Sequence, residues 1–186
     1  MLRTLPQTRS QNLTYRLAGI GVFTLITILS ARVTIEIGPV PFTLQPLAVL
    51  LSGMILGWRD GLLSQAAYVG LIALGAPLDA RALGTAALLG PTAGYLIGFI
   101  PAAGAAGWLV EHGGQRVWQR WLAGVVGIAV IYLFGAVLLK VNTGMDWATA
   151  WQSGVAPFLA PDLVKALIAA ALTESGRRLF MNNGLQ

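Results

Sequence analysis

Asp162 and Lys165 stand in an otherwise mostly apolar run, residues 155–172. On insertion scales a carboxylate or an ammonium at membrane depth costs roughly 2.5–3.5 kcal/mol. Three positions apart on a helix, the two side chains share a face, with Cβ atoms about 5–6 Å apart. They offset each other's charge, yet packed apolar side chains would fill the same space without the desolvation cost. Such a pair suits the binding of something polar, because the carboxylate accepts N–H bonds and the ammonium donates to a carbonyl. The alternatives are an acid that only complements a helix N-terminus and a lysine that snorkels to the interface. Pro161 suits a first helical turn and sets Asp162 beside the positive end of the helix dipole.

Other polar positions precede this pair along the chain. The connection 76–89 carries Asp79 and Arg81 and is long enough to fold over a pocket as a lid. Arg81 either meets an anionic ligand group or pairs with Asp79 in solvent. Thr43 and Gln45 offer a hydroxyl and an amide at the outer mouth of the second apolar stretch, and Tyr95 lies in the fourth. Tyr68 and Asn142 are weaker candidates, and Lys140 reads as a snorkelling side chain.

The missing residues exclude most reaction chemistry. There is no cysteine, hence no thiol nucleophile and no thiolate metal site, and the lone His112 rules out a site needing two imidazoles. No phosphate-loop, HExxH or Gly-x-Ser-x-Gly pattern occurs. We therefore expect no catalytic residue, no metal ligand and no cofactor. A membrane enzyme lacks its nucleophile–base pair. A channel would need a polar stripe, and below Lys165 the chain is Ala, Leu and Ile until Thr173.

The elements that must position these residues are membrane spans. Of 186 residues, 56% are hydrophobic and only 10% charged, against about 25% charged in soluble domains. Six spans are read in one integral membrane domain, residues 1–186: 13–33, 43–57, 61–75, 91–110, 121–141 and 161–180, an all-α bundle. A signal-peptide reading of the first is weakened by the poor cleavage site Ser30-Ala31-Arg32. The second and third fall short of the ~20 residues of a perpendicular span. Residues 145–158 read as a short interfacial helix, since Pro157 and Pro161 break continuity.

The net charge of +5 does not point to nucleic acid, because the basic residues flank apolar runs and read as topology and anionic-lipid contacts. Arg3, Arg9, Arg16, Arg59, Arg116, Arg120, Arg177 and Arg178 fall on one side, eight against the three of Arg32, Arg81 and Lys140. That bias places both termini in the cytoplasm. Trp58, Trp108, Trp118 and Trp121 mark the inner boundary, Trp147 and Trp151 the outer one. Small residues recur every fourth position at Gly90, Gly94, Gly98, Ala102 and Ala106, and at Gly53, Gly57 and Gly61. They suit close helix packing, within the chain or with a partner.

Four stretches together resemble the BioY family, the substrate-binding S components of energy-coupling-factor (ECF) biotin transporters. They are Pro39-Val40-Pro41-Phe42-Thr43-Leu44-Gln45, Gly75-Ala76-Pro77, Leu89-Gly90-Pro91-Thr92-Ala93-Gly94-Tyr95-Leu96-Ile97-Gly98-Phe99, and Pro157 through Lys165. The match runs in order from about Thr34 to Ala171. Position 93 is usually Gly in the family, and the first-helix Ala-x-x-x-Ala docking pattern is here Ala18 followed by Val22. The resemblance implies a six-helix, multi-pass protein of the bacterial cytoplasmic (inner) membrane that binds biotin near the outer face. It implies that Asp162 and Lys165 contact the vitamin, with Arg81 a candidate clamp for its carboxylate. As partners it implies an ECF coupling transmembrane subunit and two ATPase subunits. The rival within the same fold is an S component for a different vitamin.

Overall fold

The structure, a computed structural model, describes residues 13–114 and 116–183. Of the basic residues counted above, Arg3 and Arg9 lie outside the described residues, as do the side chains of Arg177 and Arg178.

Helix α1 (Leu13–Arg32) buries only Phe23, Thr24, Thr27 and Ala31, a single stripe at helical spacing. Leu17, Val22, Leu25 and Leu29 are exposed on its other sides, which suits a helix whose outer face meets lipid. The stripe is polar where it meets its neighbour. Thr24 Oγ1 donates to the Ser64 carbonyl at 3.0 Å, and Gln65 Nε2 donates to Thr27 Oγ1 at 3.2 Å. Two short strands follow, β1 (Thr34–Ile35) and β2 (Phe42–Thr43), antiparallel with Thr34 opposite Thr43. Residues 34–43 thus form a small hairpin.

Helices α2 (Gln45–Leu56) and α3 (Trp58–Ala73) are joined by the single residue Gly57. Its φ of +89° is one that side chains other than hydrogen resist. Glu111 accepts the Trp58 N–H at 3.0 Å and so satisfies an open donor at the start of α3. Helix α3 begins three residues before the expected 61, and Asp60 in its first turn is held by Arg16 at 2.6 Å. With twelve residues α2 is ~18 Å long, well short of the ~30 Å hydrocarbon core. Its other end therefore stops inside the bundle and leaves a hollow above it. That corrects one expectation: Gln45 does not sit at an open mouth but is 3% exposed, at the floor of this hollow.

A connection containing a 3-10 turn (Gly84–Leu88) leads to α4 (Ala93–His112), which continues through Pro101. Helix α5 (Val117–Thr143) has 27 residues, starting four before the expected 121. The early start changes the role of Arg120. It is not a loop cation: it is buried in the first turn, with Nη1 2.8 Å from Glu174 Oε2. The short α6 (Trp147–Gly154) is capped by Asp146, whose Oδ1 accepts the Thr149 N–H at 2.7 Å. After a 3-10 turn (Ala156–Phe158), α7 (Leu159–Asn183) runs back through the bundle. Pro157 lies in the 3-10 turn that separates α6 from α7, and Pro161 sits in the first turn of α7, where its missing N–H is not needed.

The most extensive helix contact is α4 on α5, and glycine makes it possible. A Cβ added at Gly94 would lie 2.1 Å from the Phe134 carbonyl oxygen, and one at Gly53 would lie 2.1 Å from that of Ala103. The small-residue stripes therefore serve packing within the chain. Among the described residues, four segments are long and apolar enough to cross a membrane: α1, α4, α5 and residues 147–176, while α2 and α3 are shorter.

Candidate functional site

The hollow above α2 is a cavity walled by four helices and roofed by two loops. The floor and sides come from Gln45 of α2, Tyr95, Leu96 and Phe99 of α4, Ile131 and Tyr132 of α5, and Asp162 and Lys165 of α7. The roof is the β1–β2 hairpin with Val40 and Pro41, and the 76–89 connection with Asp79, Ala80 and Arg81. All six sequence candidates, Asp162, Lys165, Arg81, Asp79, Gln45 and Tyr95, line it.

At its base is a buried polar chain. Lys165 Nζ donates to Asp162 Oδ1 at 2.7 Å and to the Thr43 carbonyl at 2.6 Å, and lies 3.9 Å from the centre of the Phe42 ring. Tyr132 donates its hydroxyl to the other carboxylate oxygen, Oδ2, at 2.7 Å. Asp162 is 3% exposed and Lys165 5%. The ammonium is held by a charge, a backbone dipole and a ring face, which together offset its desolvation. Two of its three N–H groups are occupied, leaving one; each carboxylate oxygen keeps one lone pair. The pair is thus a ready donor next to two ready acceptors, inside an apolar wall where each bond is strengthened.

The remaining candidates are held by the scaffold. Gln45 Nε2 donates to Tyr68 Oη at 2.6 Å, so Tyr68 stands behind Gln45 and orients it. Tyr95 donates to the Gly154 carbonyl at 2.8 Å, tying α4 to α6. Asn142 donates to the Gly90 carbonyl at 2.9 Å, outside the cavity lining.

The roof is a latched lid. Asp79 accepts the N–H groups of Arg81 at 3.1 Å and Gly84 at 2.8 Å, shaping the loop around Ala82 and Gly84, both at positive φ. Arg32 Nη2 donates to the Pro77 carbonyl at 2.6 Å. Arg81 does not pair with Asp79 in the expected manner; its guanidinium grips Glu36 through Nε and Nη2 and donates to the carbonyls of Pro39 and Gly38. That fork-on-carboxylate contact joins the connection to the hairpin. It holds the Glu36 carboxyl below its ordinary value and raises the already high pKa of Arg81. Beneath the lid the cavity measures about 50 Å³, compared with roughly 300–1,000 Å³ for typical ligand sites.

Sequence reasoning missed Tyr132, Phe99 and Phe158 on the walls. Phe99 and Phe158 fall inside stretches that carry the family resemblance without being singled out there, and Tyr132 is one aromatic among many in an apolar span, so nothing in its spacing marks it. The buried Arg120–Glu174 pair was missed too. An acid in the last apolar stretch signals it, but its partner lies on another helix 54 positions away.

A helical bundle with a polar cavity near one end is the architecture of a solute-binding membrane component. The fold matches a crystal structure of the S-component for biotin from an ECF-type ABC transporter, with a TM-score of 0.81 over 94% of each chain at 23% identity. The chain belongs to the BioY family, whose model matches residues 5–182. It is 41% identical over 153 residues to the biotin transporter BioY of Thermotoga maritima, covering 82% of this chain and 89% of that one. It is 40% identical over 156 residues to a probable biotin transporter BioY of Pyrococcus horikoshii, covering 83% and 91%. This is a multi-pass membrane protein.

Proposed function

We propose that this chain binds biotin in the roofed cavity and acts as the substrate-specific subunit of an ECF-type transporter, taking up the vitamin across a bacterial cytoplasmic membrane. The observation that carries the reading is the buried Asp162–Lys165 pair, 2.7 Å apart and open to a small apolar-walled cavity. Biotin has a ureido group with two N–H donors and one carbonyl, an apolar thioether ring, and a valerate carboxylate. The free lone pairs on Asp162 take the ureido N–H groups, and the third Lys165 proton goes to the ureido oxygen. Leu96, Phe99, Ile131 and Phe158 accept the ring. Arg81 receives the carboxylate by exchanging Glu36 for it, like charge for like.

The 186 residues act as one unit with six spans, both termini cytoplasmic, and the cavity toward the outside; the basic residues near Arg16, Arg59 and Arg116 support that orientation. With no phosphate-binding loop in the chain, uptake is driven by a coupling membrane subunit and two ATPase subunits. No cofactor is needed, because no bond is made or broken. Isothermal titration of the purified chain with biotin is the test. We expect one site that Asp162→Asn eliminates. A chain that ignores biotin but carries another vitamin through purification would overturn the assignment and keep the fold.

A further inference from the structure

We infer that a groove in the half of the bundle opposite the cavity holds one acyl chain of an anionic phospholipid, with its headgroup on Arg59. The groove lies between α3, α4 and α5 and measures about 520 Å³. Its floor is the α4 backbone at Gly104, its walls are Leu62, Ala105, Leu109 and Val126, and Trp58 and Trp108 stand at one end. From Pro101 to Trp108 it follows α4 for ~10 Å. An open apolar groove of that length suits a segment of one flexible hydrocarbon chain. In a membrane protein such a slot is not wetted, so something apolar fills it.

The headgroup assignment rests on the charges at the rim. Arg59 is exposed, with its guanidinium carbon 4.9 Å from the centre of the Trp58 ring. Of the two nearby acids, Asp60 is paired with Arg16, and Glu111 is held at the end of the groove by the Trp58 N–H. His112 stacks on Trp108 at 4.7 Å and is also exposed. A cation over one boundary tryptophan and an imidazole over the other, at the mouth of an apolar slot, complement a phosphate joined to a hydrocarbon tail. Zwitterionic phosphatidylcholine fits the slot equally well, but its own ammonium offsets the phosphate charge that Arg59 would meet, so it gains less from Arg59.

Native mass spectrometry of the detergent-purified chain, titrated with phosphatidylglycerol or phosphatidylcholine of equal chain length, tests this. We expect one phosphatidylglycerol to be retained about fivefold better than phosphatidylcholine, the factor for one cation near an anionic headgroup. Arg59→Gln should erase the preference without preventing retention. Ala105→Leu, which fills the slot, should release both lipids. Binding of labelled biotin, measured alongside, reports folding and is expected to be unchanged in both variants. Equal retention of the two lipids, or a preference that survives Arg59→Gln, overturns the headgroup assignment. Lipid retention unaffected by Ala105→Leu, or a dimer that this variant dissociates, overturns the slot.

Discussion

Asp162 accepts from Lys165 on one oxygen and from Tyr132 on the other, so its negative charge is aimed before any ligand arrives. Preorganisation of this kind lowers the ordering cost of binding. Removing one partner of a buried pair costs about 3–5 kcal/mol, because the other charge is left uncompensated. Lys165→Ala should accordingly lose both labelled-biotin binding and thermal stability. A double Asp162→Asn, Lys165→Gln chain should regain stability but not binding, which a melting curve alongside a filter assay would separate. Tyr132→Phe tests the same chain more gently. A hydrogen bond to a charged group is worth roughly 1.5–3 kcal/mol, so binding should weaken by about tenfold or more while the fold persists. Equal affinities for Tyr132→Phe and the parent chain would show that Asp162 needs no orienting group. The acid and base were legible from their cost in an apolar run. Tyr132 was not, since a tyrosine in a span carries no such cost.

At the scale of elements, the cavity exists because α2 is short and because two loops close over it. The sequence carries the first fact, in an apolar run too brief to span. It carries only part of the second, since the 76–89 connection reads as a lid but the hairpin that meets it does not. The Arg81 fork closes on Glu36, 45 positions earlier, and only the fold of the hairpin brings the two together. This contact is exposed and therefore weak, which suits a latch. Its sign with pH is definite. Glu36 has a lowered pKa when folded, so its contribution is complete above the ordinary carboxylate value and is lost as pH falls through the lowered one. Amide exchange in residues 76–89, corrected for intrinsic rates, should rise as the solution is acidified below about pH 4. In Glu36→Gln the loop should be open-prone at neutral pH and lose that dependence. A parent loop equally protected at both pH values would argue that Arg32 and Asp79 alone hold the lid.

Across the whole molecule, glycines set how closely the helices lie. Gly53→Leu and Gly94→Leu each drive a side chain into a neighbouring backbone carbonyl, beyond the ~1–3 kcal/mol of ordinary overpacking. Both variants should fail to yield monodisperse protein, and their failure would be visible by size-exclusion chromatography; a folded Gly53→Leu chain would mean that α2 and α4 can part. The stripes themselves were legible as four-residue spacings, though not which helix each one meets. The charge count was partly misleading, because Arg120 joins the interior with Glu174 instead of marking a surface. One further outcome concerns time. A space of about 50 Å³ beneath a partly closed roof is too small for a bicyclic vitamin, so the roof has to open further before loading. In stopped-flow measurements the observed rate should climb with vitamin concentration, then level off at a ceiling set by the protein, and Glu36→Gln should lift that ceiling.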